Sequence, residues 1–101
     1  MGKSVELSLI SIKHSQDSLK QDVEEEEVRE VFGEAEGITS NEFSRAGQLG
    51  LTATTMVAIF EGDYNKEKKC ILDGTRYRIY RTFPRKNSNL IELYLAEEVT
   101  S

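Results

Sequence analysis

The stretch Lys69-Cys70-Ile71-Leu72-Asp73-Gly74-Thr75-Arg76-Tyr77-Arg78-Ile79-Tyr80-Arg81-Thr82-Phe83 reads as a β-hairpin, and it sets the fold class. Asp73-Gly74 is a strong two-residue turn signal between two runs rich in apolar and aromatic residues. In the second arm Tyr77, Ile79 and Phe83 are expected on one face, and Arg76, Arg78 and Tyr80 on the other. Downstream, Pro84 to Asn89 turns, and Leu90 to Leu95 returns as a strand with Ile91, Leu93 and Leu95 inward. Upstream, Glu61 to Lys68 is a polar turn region. Leu51 to Phe60, rich in Thr, Val and Ile, reads as a strand covered on both faces.

Nearer the start, Val5, Leu7 and Leu9 alternate with Glu6 and Ser8, the period of a half-buried strand. The phase then changes at Ile10 and Ile12, which calls for a bulge or for burial of both faces. Ser15 to Asp22 reads as a polar loop. Strand signals at short spacing, with few helices and no internal repeat, predict a mainly β fold: a small β-barrel of about six strands, one domain over 1–101.

Two segments stand apart. Val28, Val31, Phe32 and Ala35 fall at i, i+3, i+4 and i+7, so pattern alone favours an amphipathic helix over 23–36. The rival strand places Val28 with Phe32 on one face and Val31 with Ala35 on the other. In 38–50, Thr39 followed by Glu42 forms a capping box, which predicts a short helix over roughly 41–47 stopped by Gly47.

Composition narrows the chemistry. One cysteine, Cys70, and one histidine, His14, exclude a disulfide framework, a Cys-rich zinc site and His-pair metal motifs. No Gly-rich phosphate loop or nucleophile elbow occurs. Cys70 beside Lys68 and Lys69 reads as a strand-face or core thiol, because the only histidine lies far away in sequence. No catalytic residue, metal ligand or cofactor is expected, and the chain does not read as an enzyme. No apolar run reaches the roughly 18 residues of a membrane-spanning helix, and no secretory leader is visible, so a cytosolic chain without a membrane partner is expected.

Charge is unevenly spread. Residues 1–50 carry five basic and eleven acidic residues, whereas residues 51–101 carry eight and seven. Arg76, Arg78, Arg81, Arg85 and Lys86 form a tract without an acid, and Glu24, Glu25, Glu26 and Glu27 form an acidic edge. Basic and aromatic residues on one β-surface suit an alternative function, that of an OB-like single-stranded nucleic-acid-binding module. The net charge of −5 weighs against it, since phosphate is repelled.

Several stretches together resemble the small head-closure proteins of tailed bacteriophages, also called head-completion, head–tail adaptor or stopper proteins. They are Arg29-Glu30-Val31-Phe32-Gly33-Glu34, Ser40-Asn41-Glu42-Phe43 with Ala46-Gly47-Gln48-Leu49-Gly50, Ile59 to Asn65, Asp73 to Thr82, and Ile91-Glu92-Leu93-Tyr94. The resemblance runs from about Val5 to Glu98.

The resemblance implies a structural component of the head–tail connector, without catalysis, that closes the DNA-filled head and docks the tail. Expected partners are the portal and adaptor ring proteins and the tail-joining protein. It also implies a monomer in isolation and a twelve-fold ring in the virion, through which double-stranded DNA passes without sequence-specific binding. Its setting would be the bacterial cytoplasm during assembly and then the head–tail interface. The family's channel loop maps onto Ser40, Asn41, Glu42, Phe43, Ala46, Gly47 and Gln48, and 27–37 becomes a strand, against the periodicity. Arg76, Arg78 and Arg81 of one subunit are expected to meet Glu24–Glu27 of the next.

Overall fold

The computed structural model describes residues 2–16, 18–19 and 21–97. The Glu98 end of the resemblance therefore lies outside the described residues. Six strands close into an antiparallel barrel in the order β1-β2-β3-β6-β5-β4. They are β1 (Lys3–Gln16), β2 (Asp22–Glu36), β3 (Ala53–Phe60), β4 (Lys69–Leu72), β5 (Thr75–Pro84) and β6 (Leu90–Glu97). One helix, α1 (Ser40–Gln48), connects β2 to β3, and a 3-10 turn follows β3 at Glu61–Asp63. The mainly β barrel with one short helix is the fold the sequence predicts.

The helical spacing of Val28, Val31, Phe32 and Ala35 does not produce a helix. β2 pairs with β1 along its length, from Lys3↔Ala35 to Gln16↔Asp22. Val31 is buried in the core, with Ala35 packed against it, while Val28 and Phe32 face outward at 57% and 75% exposure. A helix would hide all four on one stripe; the sheet needs only two. Non-local pairing has overridden local propensity.

The phase change in β1 involves no bulge, since the β1–β2 register runs without a shift; both faces are buried as far as Ile10, whereas Ile12 is 49% exposed. Leu7 and Leu9 point into the barrel. Ile10 points outward and is covered by the segment from Asn65 to Lys69. The expected polar loop Ser15–Asp22 is shorter than its composition implies, because Ser15, Gln16 and Asp22 are already paired in the strands.

The core is a single cluster in which Leu7, Leu9, Val57, Ile59, Leu93 and Leu95 are essentially inaccessible. Closure depends on β1 reaching β4, from Leu7↔Leu72 to Ile10↔Lys69. Where β2 passes from the barrel towards the hairpin tip, Gly33 pairs with Ile59. A Cβ there would stand 2.5 Å from the Ala58 carbonyl oxygen, so only glycine lets the strands approach. The Asp73-Gly74 turn has positive φ at both residues, 51° and 78°, as a two-residue hairpin turn requires.

Two corrections concern faces and ends. Alternation along β5 puts Phe83 inward with Tyr77 and Ile79, but the side chain is half exposed. The β5–β6 register shifts between Ile79 and Arg81, so Tyr80 is an extra residue and every later side chain changes face. The helix does not stop at Gly47 but continues through Gln48. Its end is set by Gly50, at φ 75°, whose N–H donates to the Gly47 carbonyl while the Leu51 N–H donates to that of Ala46. That pair of bonds is a Schellman motif, and its left-handed residue is the natural place for glycine. β3 accordingly begins at Ala53, after Leu51 and Thr52.

Candidate functional site

The helix is held to the barrel by one buried carboxylate. Thr39 caps α1 by accepting from the Glu42 N–H at 3.2 Å, which is half of the capping box. The other half is missing, because the Glu42 side chain turns towards β5. There it accepts from Tyr80 Oη at 2.7 Å and from Arg81 Nη2 at 2.5 Å. The bulge at Tyr80 makes this possible, since it places two successive β5 residues within reach of the same carboxylate. Ala46, one helical turn on, is fully buried beside Glu42.

Burial by itself would raise the Glu42 pKa, but the Arg81 and Tyr80 hydrogen bonds and the charges of Arg81 and Arg45 prevail and hold it below its ordinary value. Burial and Glu42 together push Tyr80 up. The Arg81 guanidinium also lies 4.1 Å from the Tyr94 ring centroid, a cation–π contact. Tyr94 donates to Glu92, which also binds Arg85 at 2.7 Å, and Arg85 reaches Glu36 at 2.8 Å. These groups wall a cleft of about 410 Å³ between α1 and the β5–β6 face. Every buried polar side-chain atom among the described residues has a partner. The cleft is a latch of matched charges, with neither an idle base nor a nucleophile aimed into it.

The candidate channel residues all lie on α1 and divide between its faces. Glu42 and Ala46 face the barrel. Ser40, Asn41, Phe43, Gly47 and Gln48 are exposed, with Asn41 lining the cleft and Phe43 54% exposed.

Of the candidate inter-subunit residues, Arg76 makes a bidentate pair with Glu26 of its own chain, both bonds at 3.0 Å. Arg81 is held by Glu42, and Arg78 is exposed opposite Lys69. Glu27 lies 3.5 Å from Lys13, Glu24 lies 3.9 Å from His14, and Glu25 is exposed. The structure thus brings the basic tract and the acidic edge together within one chain at Arg76–Glu26. Cys70 is buried, and desolvation pushes its thiol up to about 12.

Two features escaped sequence reasoning. Glu67, almost wholly buried, accepts from Arg29 at 2.5 Å and from the Asn65 N–H at 2.8 Å, and Tyr64 donates to its carbonyl. Nothing in the polar run 61–68 distinguishes Glu67 from its neighbours. Phe32, Phe60 and Leu90 line an outer hollow of about 380 Å³. The strand phase of β2, once accepted, would have placed Phe32 outside.

Comparison with known proteins leaves the chain without a match: no family model fits it, and no curated protein is similar to it.

Proposed function

We propose that the chain is a structural, non-enzymatic component of a tailed-phage head–tail connector, closing the head and presenting a docking surface to the tail. The observation that carries this reading is the place of α1. A closed six-strand barrel interrupted by one helix between β2 and β3 is the layout that the resemblance over 29–34, 40–50 and 73–82 implies. The outward face of α1, with Phe43 and Leu49 exposed, offers apolar surface of the kind an assembly buries. An acidic chain, with a net charge of −5, suits a DNA conduit that must not grip phosphate.

The nucleic-acid alternative loses support from the same geometry. Arg76, Arg81 and Arg85 are each bound to a carboxylate and Tyr77 is in the core, which leaves Arg78, Lys86 and the half-exposed Phe83 as the exposed part of the tract that could track a strand.

The deciding experiment mixes the purified chain with the portal–adaptor complex of its own phage and images the product by electron microscopy. Added density as a twelve-fold ring on the connector is the expected result. No binding to the complex, together with salt-sensitive affinity for single-stranded DNA, would overturn the reading.

A further inference from the structure

β2 is covered on one side by β1, but on the other β3 pairs only with Gly33 to Glu36. From Asp22 to Phe32 its second edge meets no strand among the described residues. Alternate residues of such an edge direct their N–H and C=O groups at solvent, a ready template for another strand.

Two chemical features flank this edge. At the Phe32 end lies the hollow of about 380 Å³, walled by Phe32, Phe60 and Leu90 and floored by Gly33, Ala58 and Ile59. Phe32 and Phe60 are 75% and 50% exposed, a large apolar offering for a monomer surface. Along the rest of the edge stand Asp22, Glu24, Glu25, Glu26, Glu27 and Glu30, with Arg29 the one base, and Arg29 is committed to Glu67. Glu26 and Glu27 have cations of their own, in Arg76 and Lys13. Glu30 lies close enough to Glu6 to hydrogen-bond and repel it, which raises Glu6. A cation placed between those two carboxyl groups would relieve the repulsion.

We infer that an extended basic segment of a partner protein adds as a strand to the β2 edge between Asp22 and Phe32, seating a large apolar side chain between Phe32 and Phe60. Main-chain hydrogen bonds then supply affinity, and the acidic row and the hollow supply selectivity. The same glutamates repel an acidic or self-complementary strand, so they choose among partners as well as attract them.

A second copy of this chain is a poor occupant on two counts. A two-fold pairing of β2 with itself sets acid against acid. The chain's own cationic tract lies in β5, which is already paired on both sides by β4 and β6. The proposal concerns this edge alone and stands or falls separately from the connector reading.

The test uses the full chain and a fluorescein-labelled peptide of about ten residues, alternating lysine with valine and carrying one central leucine, followed by anisotropy and by amide NMR. Saturable binding is expected, with shifts confined to residues 22–34, their β1 partners, and Ala58 to Phe60 and Leu90 around the hollow. N-methylating the edge-facing peptide amides, which keeps the charge and removes the ladder, should weaken binding about tenfold or more. Phe32→Ser, at an exposed position, should weaken it by about fivefold or more with an unchanged circular dichroism spectrum. Equal binding of the N-methylated peptide would reduce the effect to charge alone and overturn the proposal. So would the absence of saturable binding below about 1 mM. Self-association of the chain that Phe32→Ser abolishes would assign the edge to a second copy, and would equally overturn it.

Discussion

Glu42 on α1 and Arg81 on β5 are 39 residues apart in sequence and 2.5 Å apart in space, and their contact fastens the helix to the barrel. Glu42 is 6% exposed, so the pair is shielded from solvent on the carboxylate side. Removing one member of such a pair strands the other. Glu42→Ala is expected to destabilise the chain by about 1–3 kcal/mol in urea unfolding. Hydrogen exchange should speed up across 40–48 while the β3 and β6 amides stay protected. Uniform loss of protection would show that the helix is not a separately releasable unit.

Acid should loosen the same contact. Glu42 and Glu92 are both held below the ordinary carboxylate value in the folded state: burial opposes this, but the hydrogen bonds from Arg81 and Tyr80, and from Tyr94 and Arg85, prevail. A group with a depressed folded pKa stabilises fully above its unfolded value of 4.5, and loses that contribution as pH falls through the folded one. Tm should therefore be level near neutrality and drop below about pH 4.5, with a smaller drop in Glu42→Gln than in the parent. An equal drop in both would move the acid sensitivity away from this carboxylate.

Gly33 sits where two strands approach too closely for a side chain. Its Cβ would enter the space of the Ala58 carbonyl oxygen and the Ile59 side chain. Gly33→Ala is expected to lose about 1–3 kcal/mol, because overpacking displaces backbone as well as side chains. Gly47→Ala, with open space around it in α1, should be neutral or slightly stabilising. Chemical denaturation of the two variants side by side checks the contrast.

The bulge at Tyr80 separates two halves of β5, one carrying Tyr77 and Ile79 and the other Phe83. Ile79→Ala, ahead of it, opens a core cavity and should cost about 2–5 kcal/mol. Phe83→Ser, beyond it, alters a half-exposed side chain and should stay within about 0.5 kcal/mol. A large loss at Phe83 would mean that it packs inward, against the shifted β5–β6 register.

Cys70 provides a reporter of barrel opening. Burial pushes its thiol up to about 12, so little thiolate exists near neutral pH. Reaction with a disulfide reagent should be slow in the native chain and immediate in denaturant. Rapid native labelling would place β4 among the labile parts of the barrel.

Much of the barrel was legible because strands advertise themselves locally. The Asp73-Gly74 turn fixes a hairpin without help from distant residues, and Ile91, Leu93 and Leu95 alternate as a strand should. β2 was not legible from its own residues. Its apolar spacing suits a helix, and only its pairing with β1 decides the matter. Phe83 was misplaced for a related reason: a bulge is a property of two strands in register, and β5 alone gives no sign of it. At the latch, the capping pattern around Thr39 identified the helix, but nothing near Glu42 announces that its carboxylate belongs to Tyr80 and Arg81. The basic tract and the acidic edge were visible as opposite charges. Their meeting at Arg76–Glu26 is set by how the β1–β2 hairpin lies against the barrel.

The place of β6 between β3 and β5 also fixes when the fold can come into being. Ile59 waits for Ile91, and Ile79 for Leu95, because β6, the last of the six in chain order, is the second neighbour of both β3 and β5. Until then the emerging chain holds a long hairpin with an apolar inner face and no lid. Such late closure makes for slow folding and a period of vulnerability to aggregation during synthesis. In that interval the glutamates of β2 would serve the nascent chain as repellents, before they meet any partner as the finished protein.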